Sequence, residues 1–98
     1  MILGRYVQQP GERRKRGIDY HDFLEPGEII TNVTAAVSPT TDTPLVVSGV
    51  VIDPDGTEFA YFVSGGENGV SYSVEFTLTT NGSQTKQDTV EFDIEEDE

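Results

Sequence analysis

Cysteine and tryptophan are absent from the 98 residues, and histidine and methionine occur once each. Without thiols the chain forms no disulfide and no thiolate metal site. A single histidine, His21, leaves no multi-histidine ligand set and makes any Ser/His/Asp arrangement depend on one residue outside the periodic segments. No apolar run approaches the roughly 20 residues a membrane-spanning helix needs. The opening Met-Ile-Leu-Gly-Arg lacks the charged-then-apolar order of a signal peptide, so a protein used without Sec-type export is expected. Basic residues are also scarce, six against eighteen acidic, for a net charge of −12. Five of the six (Arg5, Arg13, Arg14, Lys15 and Arg16) fall in the first sixteen positions. The remainder, with Lys86 alone, repels nucleic acid and anionic membranes, so a role on DNA would have to reside in the N-terminal segment.

The few residues that could carry chemistry are better explained by turns. His21, flanked by Asp19 and Asp22, has too few potential ligands at too short a spacing for a metal and reads as a surface histidine. Asp53-Pro54-Asp55-Gly56 is a turn in which proline presets φ and glycine closes the bend; with Glu58 it resembles a calcium loop only faintly. Gly65, Gly66 and Gly69 are not a phosphate loop, because no helical pattern follows to offer its N-terminus. The chain therefore reads as a non-enzyme with no cofactor and no metal.

What the sequence does contain is alternation. Tyr72, Val74, Phe76 and Leu78 share one face of a strand and Ser73, Glu75, Thr77 and Thr79 the other. A glycine-rich corner (Gly65, Gly66, Gly69) precedes this strand, and the hairpin signal Asn81-Gly82 follows it. A tyrosine entering a strand after such a corner fits the tyrosine corner of immunoglobulin-like sandwiches, and Tyr72 is placed to serve it. A first strand is expected over residues 28–37, with Ile29, Val33, Ala35 and Val37 on one face. Further strands follow over 45–52, with Gly49 as a bulge, then 58–63 and 84–94. Residues 58–63 are apolar on both faces, so Phe59, Tyr61 and Phe62 are candidates for a face covered by a partner. Five strands with turn residues between them define an all-β fold, a small immunoglobulin-like β-sandwich; a small open barrel and a partial jelly roll fit the same spacing.

Residues 1–27 lack sustained periodicity yet carry Ile2, Leu3, Tyr6, Val7, Ile18, Tyr20, Phe23 and Leu24. A solvating tail would not hold so many apolar side chains. An extended basic and aromatic N-terminal arm over 1–27 is expected, ordered on a partner through Tyr6, Arg13, Arg14, Arg16, Tyr20 and Phe23, with one helical turn near 18–24. The body spans 28–98 and ends in an acidic tail, Glu95 to Glu98.

Two stretches resemble a known group. Val63-Ser64-Gly65-Gly66, Gly69, Tyr72, Val74, Thr79-Thr80 and Asp88 are similar to the S-G-G-x-x-G-x-x-Y-x-V ending of small virion structural proteins of tailed bacteriophages. Ile18 to Ile30, with Asp19-Tyr20, Asp22-Phe23-Leu24 and Gly27-Glu28, resembles the opening text of the same group, with Phe23 where tryptophan is common. The arginine usual after the hairpin glycine is missing. The resemblance implies a bacteriophage virion component with an Ig-like domain: a capsid decoration, a head–tail or collar connector, or a tail-fibre attachment piece. It implies other virion proteins as partners (capsid, portal or connector, tail), a symmetric multicopy or homo-oligomeric arrangement, no membrane, and assembly in the host bacterial cytoplasm. A virion-displayed module binding a host surface or glycan, with Tyr61 and Phe62 as an aromatic platform, is the second reading.

Overall fold

Tyr72, Val74, Phe76 and Leu78 are each 1 % exposed or less. They form the inner face of β6 (Ser71–Thr80), the centre of the molecule in a computed structural model that describes residues 2–96. β6 turns through residues 81–84 into β7 (Thr85–Ile94), with Tyr72 opposite Phe92 and Val74 opposite Val90. On the other side of β6 lies β3 (Ile30–Ser38), antiparallel; beyond β7 lies β1 (Ile2–Gln8), parallel to it. The first sheet thus has the order β1-β7-β6-β3. The second is built on β5 (Glu58–Gly65), flanked by β2 (Arg13–Asp19) and β4 (Leu45–Ile52), both antiparallel to it. The described residues contain no helix.

The sheets meet through an aromatic cluster. The Phe76 ring lies 4.7 Å from Tyr61 and 5.2 Å from Phe59, and Tyr20 stacks on Phe59 at 6.1 Å. Burying each such side chain contributes about 1.5–3 kcal/mol, which makes this cluster the chief source of cohesion between the sheets. It also settles which way β5 faces. Phe59, Tyr61 and Val63 point inward and are at most 1 % exposed, while Ala60 and Phe62 face out. The face predicted as Phe59, Tyr61 and Phe62 is therefore corrected: only Phe62 is on the outside, because β5 is a central strand whose odd-numbered side chains meet Phe76.

The segment predicted as an arm differs most from expectation. Residues 2–8 and 13–19 are β1 and β2, one added to each sheet, and residues 9–12 carry the chain across. Gln8 on the first sheet donates its amide Nε2 to the Val63 carbonyl on the second (3.0 Å). The period-two signal fails in β2 because two of its inward positions are Arg14 and Arg16, opposite Val63 and Tyr61. Arg16 is accommodated by stacking: its guanidinium lies 3.8 Å over the Tyr6 ring, and Tyr6 stacks on Phe92 at 5.6 Å. A long cationic stem covering an aromatic face does here what an apolar side chain does elsewhere.

Two smaller differences have local causes. Ile29, expected inside, is 41 % exposed, while Ile30 is buried, because a register shift between Ile30 and Asn32 advances the strand by a residue. At the hairpin the positive φ belongs to Ser83, not Gly82; Gly82 is required because a Cβ there would stand 2.5 Å from the Glu28 carboxylate. The bulge expected at Gly49 is present, with φ +60° and a register shift between Ser48 and Val51. Phe23 and Leu24 amides both donate to the Tyr20 carbonyl, closing one turn where a helical turn was expected. Of the acidic tail, the Glu95 amide donates to the Gln8 carbonyl and the Glu96 amide to Asn68 Oδ1; Asp97 and Glu98, like Met1, lie outside the described residues.

Glu28 ties the 20–29 loop to the hairpin. Its carboxylate accepts from the Thr80 hydroxyl, the Glu25 amide (2.9 Å) and Gln84 Nε2 (2.9 Å). The Thr80 hydrogen bond, then the Glu25 amide, hold it below the usual glutamate range. A depressed carboxyl lends stability above its unfolded value that is lost as pH falls. Urea midpoints of the wild type should fall as pH drops below the ordinary glutamate value of 4.5. Glu28→Gln should show a lower midpoint at pH 7 and a shallower acid limb.

Candidate docking face

The two outer faces of the sandwich differ in chemistry. On the first sheet, β6 and β7 present Ser73, Glu75, Thr77 and Thr79 beside Gln87, Thr89, Glu91 and Asp93, a polar surface. On the second, the register aligns Arg13, Lys15, Gly17 and Asp19 of β2 with Ser64, Phe62, Ala60 and Glu58 of β5. Val46, Ser48 and Val51 of β4 continue these rows. Small side chains at Gly17 and Ala60 leave a trough of about 580 Å³, walled by Phe62, Val51 and Lys15. A second cleft, of about 620 Å³ beside Gln9, Gly11, Glu67 and Asn68 at one end of the sandwich, is lined by no aromatic side chain.

The trough is polarised. At one end the Arg13 guanidinium lies 3.7 Å over the Phe62 ring, with Lys15 alongside. At the other end stand Asp19, Asp53 and Glu58. A hydrogen bond with Asp53, then the Asp53 charge, push the Glu58 carboxyl above its usual range, as expected where like charges share a site. Gly49 makes the bulge beside Phe62; a Cβ there would sit 3.1 Å from the ring. The apolar middle and the opposite charges at its ends suit recognition of another chain better than chemistry on a small molecule.

The residues predicted to contact partners are divided by the structure. Tyr20 is buried, and Tyr6, Arg16 and Phe23 are half-buried inside the fold. Arg13 and Arg14 remain exposed, and Arg14 pairs with Glu12 at 3.5 Å. At the corner, Gly65, Gly66 and Gly69 all adopt positive φ (73°, 93° and 86°). Tyr72 is buried; its hydroxyl accepts from the Glu67 amide (2.9 Å) and lies 2.6 Å from the Thr41 hydroxyl, pinning the 39–44 and 66–70 connections together. His21 is exposed, and its amide donates to Asp19 Oδ1 (2.8 Å). Asp53 Oδ1 accepts from the Asp55 amide (2.7 Å), which is turn chemistry. Among the described residues no three His, Asp or Glu side chains gather around a common metal position. Lys15, Val51, Ala60 and Glu58 were not read from the sequence as partner-contacting residues. The usable signal was the uncharged run 45–52 next to a strand apolar on both faces.

The fold is a two-sheet β-sandwich with a polarised trough on the outer face of its second sheet. The family model described as podophage GP4 fiber-tail adaptor protein gp77 matches residues 8–93, and the chain belongs to that family. It is a tail-related structural protein of a tailed-phage virion. Curated proteins give no match.

Proposed function

We propose that this chain is a non-enzymatic joint that holds a fibre to the phage tail, docked through the outer face of the β2-β5-β4 sheet. Membership of a family described as fibre-tail adaptors favours this position over capsid decoration or a head–tail connector. The observation that carries the docking assignment is the trough itself, with Phe62 under Arg13 at one end and Asp19, Asp53 and Glu58 at the other. The anchor is then a face of the folded body that includes Arg13, rather than a separate arm. The partners are other tail proteins, and the place of action is the virion. The reading as a host-surface or glycan module is weakened because Tyr61, half of its aromatic platform, is buried.

An immunoglobulin-like assignment is supported by strand order. β2, β5 and β4 correspond to B, E and D, and β3, β6 and β7 to C, F and G, while β1 joins the sheet of G.

The test is co-sedimentation with particles lacking this component. Lys15→Glu with Val51→Lys alters the trough at exposed positions and should weaken binding at least about tenfold with thermal stability unchanged. Binding equal to wild type would contradict the assignment.

A further inference from the structure

β4 is an edge strand of the β2-β5-β4 sheet. We propose that it is completed by an extended segment of a partner virion protein that has a β-branched centre and lysine or arginine at both ends. The inference rests on the reading of the β2-β5-β4 sheet as the docking sheet and specifies what that sheet binds. Unpaired sheet edges invite strand addition unless charge, proline or a bulge blunts them. Of the four edges here, β2 carries Arg13, Arg14, Lys15 and Arg16. β1 shifts register between Ile2 and Gly4 and holds Arg5 against Glu91 (3.1 Å) and Asp93 (3.6 Å). β3 turns two of its threonine hydroxyls back onto β6: Thr31 onto Thr79 O and Thr34 onto Thr77 O. β4, Leu-Val-Val-Ser-Gly-Val-Val-Ile, has no charge in a chain of net −12. Its Val46, Val50 and Val51 are 44, 36 and 63 % exposed.

Charge selects the occupant. Asp42 precedes β4, Asp53 and Asp55 follow it, and Glu58 stands beside its far end on β5. Carboxylates therefore flank the edge at both ends, and the cations of the sheet lie two strands away on β2. A second copy is disfavoured in either direction. Antiparallel pairing sets Asp42 against Asp53 of the neighbour, and parallel pairing sets each against itself. A strand with basic ends meets both carboxylate groups and places its β-branched side chains beside the valines. The bulge at Gly49 blunts only the middle of this edge and leaves two short stretches, 45–48 and 51–52, for pairing.

The probe is the peptide Lys-Lys-Val-Thr-Val-Thr-Val-Thr-Lys-Lys with the full-length chain, read by fluorescence anisotropy and amide exchange. Slowed exchange over 45–52 is expected. Binding should be at least about tenfold weaker when glutamate replaces every lysine, and again when alternate peptide amides are N-methylated on one edge. Equal binding by the N-methylated peptide, protection confined to another edge, or self-association of the chain with β4 protected would overturn the proposal. Should the peptide fail to bind while the chain still co-sediments with particles through the trough, strand addition is wrong and the docking face stands. Peptide binding combined with full particle binding by the Lys15→Glu, Val51→Lys variant would instead remove the reading beneath it.

Discussion

Phe76→Ala should lower unfolding free energy by about 3–5 kcal/mol. The ring is fully buried and touches Phe59 and Tyr61 across the gap between the sheets. Its removal deletes transfer free energy and leaves a cavity that neighbours cannot readily close, since Phe59 is paired with Ile18 on one side and Ile52 on the other, and Tyr61 with Arg16. Domains of this size are stable by only about 5–15 kcal/mol, so the loss is a large share of the total. Urea unfolding should show a lower midpoint with an unchanged slope, because the cohesion between sheets falls while the surface exposed on unfolding stays nearly the same. A loss below about 1 kcal/mol would mean that the sheets are held together elsewhere.

Asp88→Ala should be the next largest effect, about 2–3 kcal/mol. Asp88 lies on the inner face of β7 opposite Phe76 and is 1 % exposed. Its Oδ2 accepts from the Tyr20 hydroxyl at 2.7 Å, and its Oδ1 accepts from Lys86 at 3.2 Å. The carboxylate fastens the 20–29 loop over the end of the core, and its loss strands the Tyr20 hydroxyl without a partner. Tyr20→Phe should cost less, about 1 kcal/mol, because Asp88 keeps Lys86. The double variant should fall short of the sum, since both changes break one bond. The same burial predicts an alkaline limb. Burial first, then the Asp88 hydrogen bond, raises the Tyr20 hydroxyl, and burial pushes Tyr61 up to about 12. Both tyrosines stay neutral in the folded state while the unfolded chain ionises near 10, so stability is complete below that pH and is lost as pH rises through the folded values.

The strands that alternate, and the apolar runs at 45–52 and 58–63, were readable, whereas the two N-terminal strands were missed. β6 and β7 each place apolar side chains on one face and polar ones on the other, so their register follows from period two alone. β1 and β2 violate that rule. Gly4, Tyr6 and Gln8 occupy the inner row of β1, and Arg14 and Arg16 sit on that of β2. Arg14 stays exposed, and the burial of Tyr6, Gln8 and Arg16 depends on pairs formed across the two sheets: Arg16 over Tyr6, and Gln8 onto Val63. Such pairs join residues distant in sequence, and no local pattern encodes them. The corner glycines were legible because positive φ is a local demand. Gly82 was legible as a turn but not for its reason, the approach of Glu28 from another loop. The trough followed the same division: Phe62 and the uncharged β4 were visible in the sequence, whereas Lys15, Ala60 and Glu58 join them only through strand pairing.

The proposed docking of this chain through the β2-β5-β4 sheet is tested most directly by comparing amide exchange in the free protein with exchange in assembled particles. Slowed exchange over residues 13–17 and 45–64, with 71–80 and 85–94 unchanged, is the predicted result. Protection concentrated on β6 and β7 instead, with 45–64 exchanging as in the free chain, would contradict it and transfer the docking role to the polar face.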